Sequence, residues 1–435
     1  MEPRVVHRLN KSEAGFEEKF DALLSSKREV SEDVDLVVRD IIDAVRRDGD
    51  KAVLDYTAKF DRLEADSMAA LTVTEEEIDR AVSEVPADTL EALQLAHDRI
   101  TAHHARQMPQ DDRYQDALGV ELGSIWTAIE AVGVYVPGGL ASYPSSVLMN
   151  VVPARVAGVE RIVMVVPSPD GVLNPPVLAA AKVAGVTEIY RIGGAQAIAA
   201  LAFGTGTIAP VAKIVGPGNA YVAAAKRRVF GTVGIDMIAG PSEVLIVADG
   251  GNNPDWIAAD LLAQAEHDTA AQSILITDSA DLAQEVEKAV ESQLKTLPRE
   301  EVARASWEDF GAIITVEDLA AAMPLANRIA PEHLELAVAD PEELLKQVRN
   351  AGAVFLGHYT PEAIGDYVGG SNHVLPTARS ARFSSGLSVL EFVKRTSILK
   401  CNADNLRALG PAAMTLGESE GLSAHARSVS IRLNM

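Results

Sequence analysis

The first part of the chain carries apolar side chains at the three- and four-residue spacing of amphipathic helices. One such segment follows Ser31, a residue type suited to capping a helix, and ends at Gly49. Thr74 and Glu77 have the spacing of a capping box for a later helix. These patterns predict a helical region, and nothing in them indicates chemistry.

From residue 131 the pattern changes to short apolar runs that alternate with alanine-rich helical stretches. Continuous apolar runs are typical of parallel strands buried on both faces, so the alternation predicts an α/β fold. The first series of predicted strands covers residues 131–136, 161–166, 188–192, 212–215 and 233–237. The second series covers residues 243–248, 272–277, 311–316 and 353–356.

Two successive series of strands predict two incomplete Rossmann-like, doubly wound modules. No residue-level repeat establishes a duplication. The alternation is lost after about residue 386. We therefore predict the following units: an N-terminal arm (1–25), a helical region that packs on the second module (26–130), the first module (131–240), the second module (241–385) and a C-terminal arm (386–435).

Composition narrows the possible partners and the location. The chain has 435 residues, and its 39 Lys and Arg against 62 Asp and Glu give a net charge of −23, the wrong sign for binding a phosphate backbone. Its single cysteine, Cys401, cannot form an intrachain disulfide, and charges occupy the start where a signal peptide needs an apolar run. No apolar stretch approaches the length of a membrane span. We expect a cytoplasmic protein that binds neither nucleic acid nor membrane.

Glycine clusters follow several strands of the first module, at residues 137–139, 193–197 and 216–220. Backbone NH groups in such turns can hold an anion, but Tyr221 stands where a dinucleotide fingerprint needs its third glycine. Tight turns explain these glycines equally well. Gln196 and Asn219 would suit a ribose or a carboxamide, and Asn219 would serve equally well as a helix cap.

The candidate chemistry lies in the second half of the chain. Gln264 and His267 are three residues apart at the end of a predicted helix, which fits a pair of metal ligands. A polar helix end explains the same spacing, and it is the better interpretation of these two residues alone. His333 could act as a general base, and the adjacent Glu332 could orient water or tune the histidine. They need an irregular backbone, because neighbours on a regular strand point to opposite faces.

Two further segments hold candidate residues. Asp366 and His373 follow the last predicted strand, and ligands of open α/β sheets bind beyond the carboxyl ends of strands. Glu420 and His425 lie near the terminus, where an isolated histidine usually has no special role.

Eight motifs in this order resemble the histidinol dehydrogenase family, with the resemblance running from about residue 130 to the end. They are GVYVPGG, GGAQAIAALAFGT, IVGPGNAYV, IDMIAGPSEVLIVAD, LLAQAEHD, APEHLEL, GDYVGGSNHVLPT and EGLSAHARSV. The resemblance implies oxidation of L-histidinol to L-histidine through an aldehyde in the last steps of histidine biosynthesis, with two NAD and one zinc per site. It also implies an intertwined homodimer with shared active sites, in which the C-terminal dimerisation arm reaches the partner subunit.

The resemblance also implies roles for individual residues. His333 would be the general base of both oxidations, and Glu332 would activate the water that attacks the aldehyde. The zinc ligands would be Gln264, His267, Asp366 and His425. The substrate would contact those ligands together with Ser242, His333 and Glu420. NAD would contact Tyr135, Gln196 and Asn219.

Cys401, the only thiol, lies outside every motif, so a hydrated aldehyde is a better intermediate for the second oxidation than a cysteine thioester. Two alternatives stay open. A zinc hydrolase would use the same ligands and His333 but would leave the glycine turns without a task. A non-catalytic nucleotide-binding or assembly protein would leave the four proposed ligands unexplained.

Overall fold

The computed structural model describes residues 6–25, 32–138, 143–238 and 240–434. The predicted cap Ser31 lies outside these ranges, as does the last glycine of the 137–139 turn. Two parallel sheets and one small antiparallel sheet make up the described strands. No helix in these ranges combines the length and the apolar character needed to cross a membrane.

Among the described residues before 110 there are one strand and six helices. They are β1 (His7–Asn10), α1 (Phe16–Ser25), α2 (Glu32–Asp48), α3 (Asp50–Asp61), α4 (Met68–Leu71), α5 (Glu75–Glu84) and α6 (Ala87–Ala105). The capping box is confirmed at the start of α5. The Thr74 hydroxyl accepts from the Glu77 amide, and the Glu77 carboxylate accepts from the Thr74 amide.

Two strands that the helical interpretation missed come next, β2 (Asp112–Gln115) and β3 (Glu121–Ala128). They pair antiparallel with each other, and β3 also pairs antiparallel with a strand from the C-terminal part of the chain. Their side chains are mostly exposed or half-buried, so they lack the continuous apolar run by which the other strands were recognised.

The first parallel sheet has the order β6-β5-β4-β7-β8, so its second and third strands lie on one side of its first strand and the other two on the opposite side. Its elements are β4 (Ala131–Tyr135), α7 (Pro144–Val156), β5 (Arg161–Val165), α8 (Pro175–Val183), β6 (Glu188–Tyr190), α9 (Gly194–Phe203), β7 (Lys213–Val215), α10 (Ala220–Val229) and β8 (Gly234–Ile235).

The second parallel sheet repeats this order and adds β1 at one edge, giving β1-β11-β10-β9-β12-β13. Its elements after β1 are β9 (Glu243–Ala248), α11 (Pro254–Ala265), β10 (Gln272–Thr277), α12 (Ala280–Leu294), α13 (Glu300–Phe310), β11 (Ala312–Thr315), α14 (Leu319–Ile329), β12 (His333–Ala337), α15 (Pro341–Leu345), β13 (Ala353–Leu356) and α16 (Glu362–Tyr367).

The last part of the chain contains one strand and a helical hairpin. They are β14 (Val393–Lys400), which pairs with β3, α17 (Ala403–Ser419) and α18 (Ser423–Leu433). Short 3-10 turns cover Pro169–Gly171, Ser380–Arg382 and Val389–Phe392.

The α/β prediction is confirmed, and every strand predicted in the two series is present. The packing predicted for the helical region is wrong. Helices α2 and α3 pack against α9, and α2 also packs against α10. Helix α5 packs against α8, and α6 packs against α7 and α8. These partner helices all connect strands of the first sheet. The apolar face of α2 joins that sheet's core through Val38, Ile41, Ile42 and Val45. Amphipathic spacing shows that a helix has a buried face but does not identify its partner.

Candidate active site

The strongest cluster of buried titratable side chains lies at the amino end of the second sheet. His333 is the first residue of β12, where it pairs with Val244 of β9 and Ala353 of β13. Ser242 immediately precedes β9 at the same edge and is half-buried. The prediction of a site beyond the carboxyl ends of these strands is therefore wrong. Helix α16 follows the carboxyl end of β13 and carries Asp366 back to His333.

The backbone bends just before His333, which confirms the irregular conformation that the Glu332–His333 pair requires. Ala330 ends α14 in the left-handed region with φ of 51°. Glu332 occupies a bend, and its carbonyl oxygen accepts from the amide of Ala353. A Cβ at Gly352 would lie 2.5 Å from that oxygen, so only glycine permits this approach. The bend turns both side chains into one site.

The imidazole of His333 is buried and surrounded by acidic groups. Its Nδ1 donates to the backbone carbonyl of Glu243 over 3.0 Å. Its Nε2 lies 3.6 Å from Oδ1 of Asp366 and has no hydrogen-bond partner among the described residues. Glu332 Oε2 and Glu362 Oε1 are 3.9 Å and 3.8 Å from Nδ1. Burial opposes protonation, but the charges of Glu362 and Glu332 outweigh it and raise the pKa of His333 well above its ordinary value.

Burial raises the pKa values of two neighbouring carboxyl groups toward neutral pH. It raises the pKa of Glu332 to about 7 and that of Glu362 to about 8. Glu332 Oε2 also accepts from the amide of Glu243 over 3.0 Å. For Asp366 burial acts in the same direction, but the interaction with His333 is stronger and the pKa is lowered. The site thus combines an ionised aspartate with a histidine and two proton-exchanging glutamates.

The donor atoms of this cluster have the arrangement of a metal site. His333, Glu362 and Asp366 each offer one atom, and these atoms lie within 4.8 Å of one another. Gln264 lies at the end of α11, which packs against α16, and neither of its fully buried amide atoms has a partner among the described residues. Leaving a buried amide unpaired is costly, which favours a ligand at that position.

His267 follows α11 and is acted on by the charges of Asp366 and His333. Desolvation by the surrounding protein lowers the pKa of His267, although part of its side chain is exposed to solvent. The neutral imidazole that results is the form that binds metals. His267 and Asp366 thus lie close enough for their charges to interact, and Gln264 lies on the helix that packs against α16.

The fourth predicted ligand is not brought there within one chain. His425 and Glu420 are exposed on the α17–α18 hairpin, and none of the contacts described for the buried cluster involves them. The hairpin packs mainly within itself.

Sequence reasoning missed Glu362, which lies beside His333, and two further acids near Glu362, the buried Glu335 and the half-buried Asp260. Glu362 accompanies Asp366 on α16 at a four-residue spacing, a signal that could have identified it. Its amide donates to the carboxylate of Glu335 over 2.7 Å. Burial raises the pKa of Glu335, and it raises that of Asp260 on α11 to about 6.

A second polar region lies at the carboxyl end of the first sheet. The Tyr135 hydroxyl, at the end of β4, accepts from the amide of Gly194 over 3.1 Å. Gln196 is buried on α9, and both atoms of its amide lack partners among the described residues. Asn219 caps α10, since its Oδ1 accepts from the amides of Tyr221 and Val222 at 3.1 Å each. The cap role of Asn219 is therefore confirmed, and the unpaired amide of Gln196 leaves room for a ligand.

A buried ion pair holds the turn before Asn219. Asp236 Oδ2 accepts from the amide of Gly216 over 2.8 Å, and Lys226 Nζ donates to the carbonyl of Gly216 over 3.0 Å. Lys226 also pairs with Asp236, and both side chains are almost fully buried. The φ of Gly216 is 106°, in the left-handed region that favours glycine.

We expect Lys226→Met to destabilise the protein by about 3–5 kcal/mol, because it leaves the Asp236 carboxylate buried without its cation. Urea unfolding measures the change. Lys182→Met, which removes an exposed pair with Asp79, is the control and should cost less than about 1 kcal/mol. Equal effects of the two substitutions would contradict the role assigned to the buried pair.

Comparisons with known proteins agree over the whole chain. The family profile described as histidinol dehydrogenase matches residues 24–433. The histidinol dehydrogenase of Brucella suis biovar 1 (strain 1330) is 70% identical over 431 residues, which cover 99% of this chain and 100% of that protein. The corresponding protein of Agrobacterium fabrum (strain C58) is 71% identical over 98% of both chains. The crystal structure of histidinol dehydrogenase from Elizabethkingia anophelis superposes with a TM-score of 0.94 at 36% identity, covering 100% of this chain and 99% of that one.

Proposed function

Because this chain belongs to the histidinol dehydrogenase family, we propose that it oxidises L-histidinol to L-histidine through L-histidinaldehyde, using two NAD and one zinc per site. This reaction would complete histidine biosynthesis. The observation that supports the proposal is the buried cluster of four side chains: His333, Glu332, Glu362 and Asp366. Near the end of the adjoining helix α11, the amide of Gln264 is buried without a partner among the described residues.

The available donor atoms fit the proposed cofactors. Gln264, His267, Asp366 and a partner's copy of His425 form a mixed nitrogen and oxygen set that suits zinc. Tyr135, Gln196 and Asn219 line the first sheet's carboxyl edge, where we place NAD. When bound, zinc would fix the substrate's amine and imidazole, and NAD would accept the hydride.

His333 is proposed as the base that collects the proton released in each oxidation. Its Nδ1 donates to a carbonyl, which can only accept, so Nε2 is the atom left to take a proton from the substrate. Asp366 is both a neighbour of Nε2 and a proposed zinc ligand. With zinc bound, the charge of Asp366 would be shared with the cation and would hold His333 protonated less strongly.

Glu332 is proposed to take the proton from the water that adds to the aldehyde. Its pKa of about 7 matches that task, since a base works best when its pKa is close to the working pH. Cys401 is exposed, just after β14. A hydrated aldehyde therefore remains the preferred intermediate over a thioester.

The assembly proposed for the enzyme is a homodimer in which each C-terminal arm completes the neighbour's site. The arm exposes apolar side chains that a partner would cover: Leu399, Leu409, Leu416, Leu422 and Ile431. Glu420 and His425 lie on the same hairpin. We interpret the two parallel sheets as incomplete Rossmann-like modules, in a cytoplasmic enzyme without nucleic-acid or membrane partners.

We expect Glu332→Gln to separate the two oxidations. Glutamine cannot accept the water's proton, so oxidation of L-histidinaldehyde should fall by about a hundredfold or more. Oxidation of L-histidinol, which needs His333 but no water, should fall by less than about tenfold. Stopped-flow measurement of NADH formation from each substrate tests this, and equal losses would reject the assignment.

The first test of the proposed function is whether L-histidinol reduces NAD in the presence of the zinc-loaded protein. NADH formation supports the dehydrogenase. A zinc hydrolase would bind the metal but form no NADH, and a non-catalytic nucleotide-binding protein would bind no zinc at this cluster.

A further inference from the structure

Helix α3 holds two buried polar groups that its own packing does not satisfy. Thr57 and Asp61 lie one helical turn apart on one face, and they are 0% and 7% exposed. Neither Oγ1 of Thr57 nor Oδ2 of Asp61 has a hydrogen-bond partner among the described residues. Burial raises the pKa of Asp61 to about 6. A buried carboxylate in this state is costly for folding alone, which favours a role in binding.

The charge of the neighbouring Arg62 lowers the pKa of Asp61 but does not offset the effect of burial. Arg62 points to Asp170, and its Nε and Nη2 donate to the two carboxylate oxygens at 2.7 Å and 2.5 Å. The guanidinium is therefore engaged in a bidentate pair on the surface.

The end of α3 lies at the carboxyl edge of the first sheet. Asp170 follows β5, and Leu63 lies against Gly171 in the same turn. The charge of Asp61 also acts on Tyr135 at the end of β4. Asp61 is thus placed beside the region that contains Tyr135 and the unpaired amide of Gln196.

Dinucleotide sites in doubly wound sheets use an acidic residue near the end of the second strand to bind the adenosine ribose 2′-hydroxyl. In this sheet the second strand is β5, and the acid that follows it, Asp170, is already paired with Arg62. We propose that Asp61, supplied by the preceding helical region, binds the ribose hydroxyls of NAD and excludes the 2′-phosphate of NADP. This inference rests on the proposed NAD dependence.

The test is direct binding of NADH and NADPH, measured by calorimetry on the full-length protein without substrate. Asp61→Asn removes the charge and one acceptor, and we expect NADH to bind about tenfold more weakly or worse. Preference for NADH over NADPH should shrink by at least a similar factor, because the repulsion of the phosphate is lost. Asp55→Asn, the same change at an exposed position of α3, should alter neither affinity.

Stability distinguishes this binding role from a purely structural one. The folded-state pKa of Asp61 is raised, so its charged form costs stability as the pH rises from 3.8 through about 6. Asp61→Asn should therefore unfold no earlier than the wild type at neutral pH, while binding NADH more weakly. Asp61→Ser, which also removes the charge, serves as a second variant should asparagine prevent folding.

An unchanged NADH-to-NADPH preference in the folded variant would overturn the inference while leaving NAD dependence intact. Failure of the wild type to bind NADH or to reduce NAD would instead contradict the proposed function.

Discussion

His267→Ala should abolish zinc binding and reduce turnover by more than about a hundredfold, because it removes a nitrogen ligand from the proposed metal site. The fold should survive, since His267 follows the end of α11 and its side chain is open to solvent. Zinc content by atomic absorption and NADH formation with L-histidinol measure the two effects.

The matched control for this substitution is His97→Ala on α6. Among the described residues, that half-buried imidazole hydrogen-bonds to the carboxylate of Asp98, 3.0 Å away, and it lies on a helix that contributes no residue to the proposed site. The control should keep zinc and activity. Full zinc content together with full activity in His267→Ala would remove this residue from the site.

Mixing two inactive variants should restore activity if the site is shared between subunits. His425→Ala and His267→Ala each damage one side of a composite site. After dissociation and reassociation, heterodimers would contain one intact site and one doubly damaged site. Random pairing should therefore recover about a quarter of wild-type sites.

The reason to expect complementation is geometric. His425 is exposed on a hairpin that packs mainly within itself, whereas His333 and Asp366 form part of a largely buried cluster of the second sheet. Isolated heterodimers that show no activity, with each variant separately folded and dimeric, would show that His425 acts within its own chain or not at all.

The parallel strands could be predicted because burial on both faces leaves a local signature. The runs at β9, β10 and β13 have the predicted boundaries, and the others differ by a few residues at their ends. β12 was missed because its sequence, HLELA, places His333 and Glu335 among apolar residues. Those two residues belong to the buried polar cluster. Their polar side chains interrupt the apolar run by which the strand would have been predicted.

Features that depend on contacts between distant parts of the chain could not be predicted from local sequence patterns. The edge of the sheet that holds the site depends on where α11 and α16 return, and no local pattern specifies this. The resemblance identified candidate ligands individually. The structure shows that Asp366 and His333 meet across 3.6 Å and that Glu362 joins them. It also shows the unpaired Asp61, whose burial depends on packing of the helical region against the first sheet.

The most direct test of the proposed function is the stoichiometry of the complete reaction. L-histidinol, excess NAD and the zinc-loaded enzyme are allowed to react to completion, and NADH and L-histidine are both quantified. A four-electron oxidation predicts two NADH for each L-histidine formed. One NADH for each L-histidinol consumed, with the aldehyde as the end product, would contradict a single site that performs both oxidations.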